Sequence, residues 1–425
     1  MKVGIIGAGF TGLTAGLRLA KKGHEVVIFE SGEKIGGLAG GFKERGWDWE
    51  LDYHYHHWFS SDKHIKRLAK EIKHKIFFKR PKTSTLYKGK IYQLDSPISL
   101  LKFPHLSLFD RIRTGLVIAY LRYYPDWKPL EKTTAKQFLM LSMGKKSWEV
   151  LWEPLFKNKF GKYADTIPAS WFWGRINKRT PSLGYPVGGF QEFADSISAK
   201  ISKHHGKILC NTKVDRVARS TNNIIIETSG GKHVFDKVIC TLPTPMFVNL
   251  TEDLPQSYMK NLKSLVGLGA ATLVISLKNK FFEDGTYWLN INEKGSPFLA
   301  LIEHTNLVNK KHYKNEHLLY VANYLHPEHE YFNKSAKQLT KEFYPFLKKI
   351  NPAFTKSQIY KSWVFKTSFA QPIFPLNYSK HVPKLKTPID GLYLANMQQI
   401  FPWDRGTEFA VELGEAVSRL VDSSK

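Results

Sequence analysis

Apolar and polar positions follow two rhythms along this chain. Residues 2–6 and 25–29 are apolar runs of strand length, and the segment between them, Leu13-Thr14-Ala15-Gly16-Leu17-Arg18-Leu19-Ala20, is apolar at helical spacing. The helical rhythm returns at Ile65–Ile76, a basic amphipathic stretch. It returns again at Leu108–Tyr124, where Leu108, Ile112, Leu116, Ala119 and Tyr123 fall near one face. Thr134–Leu141 and Ser147–Phe156 read as further helices, and Tyr87–Leu94 as a hairpin about Gly89. A helix at Gln191–His204 gives way to strand-like runs at Lys207–Asn211, Val214–Arg219, Ile224–Thr228 and Val238–Leu242, with turns at Asn222-Asn223 and Gly230-Gly231. A second strand-rich block runs from Ala270 to Trp363, with a helix near Ala336–Lys349. Last come a strand at Gly391–Ala395 and a helix at Glu408–Val421.

These elements predict an α/β protein of discontinuous organisation. The first strand–helix–strand cannot make a sheet alone, so the strands near 207–242 and 391–395 are its natural partners. Residues 1–85, 186–260 and 388–425 are expected to form a Rossmann-like nucleotide-binding domain. Residues 86–185, largely helical, and 261–387, a mixed sheet, are expected to form an α+β substrate domain facing it. The turn after the first strand, Gly7-Ala8-Gly9-Phe10-Thr11-Gly12, has the G-x-G-x-x-G pattern and opens a helix, and Glu30 ends the next strand. Gly7 suits a tight turn, Gly9 lets backbone approach a pyrophosphate, and Gly12 lets helix and strand pack closely. Glu30 lies where a carboxylate accepts hydrogen bonds from a ribose diol. The glycine-rich stretch Lys34–Phe42 is backbone suited to lie against a ligand.

The formal net charge of +26 changes the picture of the surface, with cations crowded at Lys63, Lys66, Arg67, Lys70, Lys73 and Lys75. Three readings stay open: a solvated lysine-rich surface, attraction to an anionic membrane, and nucleic-acid binding, the last without any recognisable module. Cys210 and Cys240 make no metal or disulfide pattern and fit a reducing compartment. The chain opens on the first strand, so no leader peptide is expected. The longest charge-free apolar stretches, Val3–Leu17 and Ser264–Leu277, fall short of the about 20 residues that span a bilayer. The expectation is a cytoplasmic protein, at most peripheral on the inner face of the membrane, without a specific nucleic-acid partner.

Three segments taken together go beyond a generic nucleotide fold. The first is Gly7–Gly12 with Glu30 and Gly36-Gly37. The second is Tyr185–Phe190 followed by Cys210–Val217. The third is Gly391–Asn396 followed by Arg405-Gly406-Thr407 and Glu412-Leu413-Gly414. In this order they resemble the superfamily of FAD-dependent amine oxidases, protoporphyrinogen oxidases, phytoene-type desaturases and UDP-galactopyranose mutases, closest to the protoporphyrinogen oxidase-like and mutase-like branches. The resemblance implies that Gly7, Ala8, Gly9, Phe10, Thr11 and Gly12 hold a pyrophosphate, and Glu30 with Ser31 the adenosine ribose. It places Gly36, Gly37, Leu38 and Ala39 along the ribityl and flavin, Val214 at the adenine, and Asn396 where the family has an aspartate on the ribityl. Gly406 and Thr407 would approach the flavin ring, with Arg405 beside phosphate or reduced flavin. A lysine that amine oxidases carry near the flavin is missing from Gly267–Ile275, which argues against amine oxidation. No cysteine lies near residue 400, so noncovalent FAD is expected.

Candidate chemistry is densest in Trp47–Phe59. His57-Trp58-Phe59 resembles the histidine-bearing segment of the mutase branch, which makes His56 or His57 a candidate donor at flavin or substrate. A packed aromatic strand with satisfied histidines is the competing reading. No metal site is expected, because adjacent strand histidines point to opposite faces and no Cys or carboxylate set has ligand spacing. Weaker pocket candidates are Tyr287-Trp288, Tyr324, Lys366 with Gln371, and Glu303-His304, of which Glu303 beside an apolar run is the strongest. The resemblance implies an FAD-dependent oxidoreductase taking a hydride from a hydrophobic or lipid-linked substrate. Ser99–Tyr124 is similar to the apolar helical region by which desaturases and protoporphyrinogen oxidases meet lipid, an ordinary core helix being the alternative. A mutase-like enzyme acting on a nucleotide- or lipid-linked sugar is the second reading, against which counts the lack of an evident arginine cluster. A non-catalytic flavin-binding protein is the third.

Overall fold

The computed structural model describes residues 1–424. Five parallel strands form the first sheet, in the order Lys207–Leu209, Glu25–Phe29, Lys2–Ile6, Lys237–Cys240 and Leu392–Leu394. The central strands are apolar because both faces are covered. Helix Phe10–Ala20 packs on one face, flanked by helices Phe190–Lys203 and Thr407–Ser423. The crossing with the last helix is close enough that a Cβ on Gly414 would stand 2.6 Å from the Thr11 carbonyl oxygen. A separate antiparallel sheet covers the other face: Val214–Arg219, Ile224–Thr228 and Gly231–Phe235. It brings Phe235 edge-on to Phe29 with ring centroids 5.9 Å apart. The distant strands near 207, 237 and 392 thus complete the N-terminal sheet, whereas 214–228 turn away into this second layer.

The other half is built on a seven-stranded sheet in the order 359–373, 266–277, 317–325, 300–303, 286–291, 82–87, 90–93. Helix Ala336–Ile350 covers one face through Leu339, Phe343 and Leu347. The helical block between residues 97 and 178 lies beside it. Strand Lys82–Tyr87 joins this sheet by parallel pairing with Thr286–Ile291, so the boundary expected after residue 85 cuts through a strand. Its polar Ser84 and Thr85 are buried, and the Ser84 hydroxyl lies 3.0 Å from that of Thr286. Local patterning reads such a run as a loop. Two helices also shift. The basic helix is Lys63–Ile72, stopped by Lys73 in the left-handed region, and residues 76–79 form a strand. The expected 147–156 helix is a π-helical turn at Trp148–Trp152 followed by Glu153–Phe160.

A tertiary cap joins the two ends of the nucleotide half. The Glu408 carboxylate, on the last helix, accepts the backbone N–H groups of Lys63, His64 and Ile65 at 2.9, 3.0 and 2.8 Å. Three otherwise orphaned donors and the positive end of helix Lys63–Ile72 are met by one buried anion.

Candidate active site

A groove runs along the carboxyl ends of the parallel strands. Gly12 allows helix Phe10–Ala20 to press on the first strand, since a Cβ there would fall 2.0 Å from the Gly7 carbonyl oxygen. Gly9 does the opposite: a Cβ would meet nothing nearer than the Gly37 Cα at 4.0 Å, so the groove is open beside it. The first turn of this helix has no capping side chain and no acid, leaving its N–H groups and dipole available to an anion. Glu30 is oriented by the N–H groups of Ala8 and Gly32 at 2.9 and 2.8 Å, with lone pairs to spare for a diol. Gly36 donates to the Ala8 carbonyl at 2.8 Å, which lays the diglycine segment across the turn. The last helix starts at Gly406, likewise without a side-chain cap. Open space at Gly9 and the uncapped, acid-free start of helix Phe10–Ala20 fit the phosphates of a dinucleotide.

Between the two halves opens a cleft. Segment 55–59 forms one wall. The Tyr55 hydroxyl lies 3.1 Å from that of Tyr324, and its ring meets Trp288 edge-on at 5.1 Å. His57 Nδ1 is 3.3 Å from the Tyr287 hydroxyl, and buried Trp58 donates its Nε1–H to Thr407 Oγ1 at 2.6 Å. This last bond fixes the segment to the start of the C-terminal helix. A smaller cavity shares Tyr55, His56, Tyr324 and Arg405 with the cleft and reaches Leu38 of the diglycine segment.

The opposite wall is cationic. Lys159 comes from helix Glu153–Phe160, Arg175 and Lys178 from helix Ala169–Lys178, Arg179 from the residue after it, and Arg405 from the loop before the last helix. Asp404 is the carboxylate that meets them, 3.0 Å from Lys159 Nζ and 3.6 Å from Arg175. The other two acids at the rim are spent on backbone N–H groups: Glu408 as above, and Asp62 on Phe59. Arg405 stacks over Tyr324 at 4.6 Å, and its buried Nε has no hydrogen-bond partner. Arg122 holds the wall in place by clasping the carbonyls of Ile176, Asn177 and Arg179, which caps the C-terminus of the Arg175 helix.

Burial drives the Lys159 ammonium down to about 7, against the opposing pull of Asp404. Burial would raise Asp404, yet Lys159, Arg175 and Arg179 outweigh it and hold the carboxylate below its ordinary range. Asp404 therefore stays ionised, and Lys159 is the partner that gives up its proton as pH rises. Arg179 is exposed on the cleft wall and keeps its positive charge near neutral pH. Burial lowers His54 to about 3, His56 to about 4 and His57 to about 3, with nearby cations adding. All three are neutral imidazoles near pH 7. Each offers one N–H and one lone pair rather than an acidic proton.

Residues 10–421 match the family described as flavin containing amine oxidoreductase. The chain belongs to that family. Its members contain a flavin and carry out oxidoreductase chemistry. Among solved structures, one assigned to a protoporphyrinogen oxidase of Exiguobacterium sp. 255-15 superposes with a TM-score of 0.78 at 16% identity, covering 100% of this chain and 99% of that one. Reduced UDP-galactopyranose mutase gives 0.76 at 16% identity, covering 100% and 96%. Both likenesses are of fold. A 4,4'-diapophytoene desaturase (4,4'-diaponeurosporene-forming) from Staphylococcus haemolyticus is 47% identical over 51 residues, which is 12% of this chain and 10% of the desaturase. The match to these curated relatives thus spans about a tenth of their length.

Within this family frame, Gly7–Gly12, Glu30 and Gly36–Ala39 are held together at the end of the first strand, and His56, His57, Arg405, Gly406 and Thr407 line the cleft. Ser31 lies beside Glu30, its hydroxyl 3.4 Å from that carboxylate, and Val214 is buried at the start of its strand. Two expectations are corrected. Glu303 does not reach the cleft. Its buried carboxylate accepts the N–H groups of Phe281 and Phe282 at 3.0 and 2.8 Å and the Asn306 amide at 3.0 Å, so its purpose is to hold that turn. The Asn396 amide is spent inside the protein, donating to the Leu242 carbonyl and Thr244 and accepting from Gln398 N–H, and holds a strand-end turn rather than a free group toward the ribityl. Of the weaker candidates, Trp288 and Tyr324 line the cleft, whereas Lys366 donates to the carbonyls of Phe332 and Lys334.

The cation cluster that local spacing does not reveal is present, assembled from three separate segments. One signal points to it. Gly174 precedes Arg175 within an aromatic run, and a Cβ there would stand 2.7 Å from the Pro402 carbonyl oxygen. This glycine lets the Arg175 helix press against the loop that carries Asp404 and Arg405. The cluster also brings a lysine, Lys159, to the cleft from the helical block rather than from strand Val266–Leu277.

Proposed function

We propose that this protein is an FAD-dependent oxidoreductase whose substrate presents an anionic group, phosphate or carboxylate, to the cationic wall of the cleft. The observation that carries this reading is the convergence of Lys159, Arg175, Lys178, Arg179 and Arg405 on a cleft where Asp404 is the carboxylate that answers them. FAD would be held noncovalently by the glycine turn, Glu30, Gly36–Ala39 and the start of the last helix, and supplies the hydride acceptor. The arginines bind and orient the anionic end of the substrate, and bidentate guanidinium pairing favours phosphate or carboxylate geometry. Tyr55, Trp288 and Tyr324 exclude water from the apolar remainder. His56 and His57, neutral at working pH, offer hydrogen bonds to a substrate hydroxyl, and His57 is oriented by Tyr287. A lipid-linked phosphate ester is one substrate class that joins both characters.

The test is anaerobic mixing of the yellow protein with candidate anionic substrates, followed by flavin absorbance. Bleaching by a substrate supports the reading. Absence of bleaching by every anionic substrate, with bleaching by a neutral one, overturns it. The cation cluster also favours a second reading, the mutase-like rearrangement of a nucleotide- or lipid-linked sugar without net redox change. Turnover only after dithionite reduction, with the flavin reduced at the end, would establish that reading instead.

A further inference from the structure

Helix Leu108–Tyr123 turns a broad apolar face to the outside. One of its buried positions is Thr114, whose hydroxyl donates to Ser147 Oγ at 2.9 Å. Its arginines fold back onto backbone carbonyls: Arg111 onto Leu106 and Leu101, Arg113 onto Ser142 and Leu141, Arg122 onto the Arg175 helix. Leu121 is buried and Val117 and Ile118 pack partly against the core, but six large apolar side chains face out. Leu108, Phe109, Ile112, Leu116, Tyr120 and Tyr123 are 62, 70, 48, 66, 54 and 84% exposed. At about 100° per residue these six fall within about a third of the helix circumference, and no charged position shares that sector. Leu141, 78% exposed, extends the patch from the helix whose end Arg113 grips, and Ile98, 66% exposed, extends it from the short helix packed alongside.

A helix folded for water alone would place these positions the other way round. The surroundings identify what covers them. Lys88, Lys90 and Lys146 crowd His105 at one end of the patch, and exposed Lys102 and Lys145 stand beside it. Apolar side chains with tyrosines among them, rimmed by lysines on a chain of net charge +26, are the composition of a helix lying in a lipid interface. Among the described residues no helix is long and apolar enough to cross a membrane, so the contact is shallow.

We propose that this face seats the protein on an anionic lipid surface, with Phe109, Leu116 and Tyr123 in the headgroup–acyl boundary and the lysines over the headgroups. The inference does not depend on the substrate reading. The test is sedimentation of the full-length flavoprotein with vesicles of phosphatidylcholine alone or mixed with phosphatidylglycerol. The wild type should sediment with the mixed vesicles and much less with the neutral ones. Leu108→Ser/Phe109→Ser/Leu116→Ser should lower the partition coefficient by at least roughly tenfold, with flavin absorbance and melting temperature unchanged. Should the triple variant misfold, Leu116→Asp and Lys145→Glu/Lys146→Glu test the apolar and charged parts separately. Wild-type protein that stays in the supernatant overturns the proposal, as do variants that sediment as well as wild type. A dimer that the triple variant dissolves, without vesicle binding, would assign the face to a second copy and overturns it equally.

Discussion

The groove and the cleft wall are built by different means. The groove works through backbone: open space at Gly9, close approach at Gly12, and the free N–H groups of a helix start, all within one strand–turn–helix. The cleft wall works through side-chain charge, gathered from helices near 159 and 175 and a loop at 404–405. Backbone recognition needs particular residues at fixed local spacing, so it leaves a written pattern. Charge recognition needs only that cations end up near one another, and any exposed lysine or arginine could in principle serve. The two regions should therefore fail differently when broken.

The largest effect is expected at the groove. Gly9→Trp fills the space that the glycine leaves open, so the purified protein should be colourless while its circular dichroism stays native. A yellow variant would show that the dinucleotide lies elsewhere. Arg175→Ala/Arg179→Ala should leave flavin content untouched and raise KM for an anionic substrate by at least about a hundredfold, from the loss of roughly 1.5–3 kcal/mol at each charge-assisted contact. Unchanged KM would remove the wall from substrate binding. His57→Ala should retain flavin and lower kcat by roughly tenfold or more. Because His57 titrates at about 3, the wild-type profile should show no step from it between about pH 5 and 8.

A smaller, pH-dependent effect is expected at Lys159. Its ammonium is lowered to about 7, so its attraction for an anion is present below that pH and fades as pH rises through it. Calorimetric titration with inorganic pyrophosphate should show affinity falling severalfold across this range. Lys159→Arg keeps its charge and should flatten the fall. An unflattened profile would assign the step to another group. Smallest for catalysis is Glu303→Gln. It weakens two backbone contacts and should lower stability by about 1–2 kcal/mol, while kcat and the flavin spectrum stay as they were. A loss of turnover at unchanged stability would return Glu303 to the site.

Element identity was legible where periodicity and turn residues agreed, as in helix Phe10–Ala20, strand Val214–Arg219 and helix Ala336–Ile350. It was not legible at Lys82–Tyr87, whose polar core is satisfied only by a strand some two hundred residues away. At the site, His57 and Arg405 stood beside recognisable motifs. Lys159, Arg175 and Arg179 did not, and Glu303 drew attention because a buried carboxylate needs partners. Those partners are backbone N–H groups across a turn, which no local pattern records.

The amino-acid sequence by itself determined the nucleotide turn, the discontinuous α/β organisation and the flavin family, because glycine spacing and strand–helix alternation are local constraints on backbone. Tertiary structure alone decided where the charges meet, which buried acid serves the turn and which the cleft, and which face of helix Leu108–Tyr123 looks outward. Those depend on distances between residues far apart in the chain. The physics there is electrostatics and burial, which act through space and take no account of sequence order.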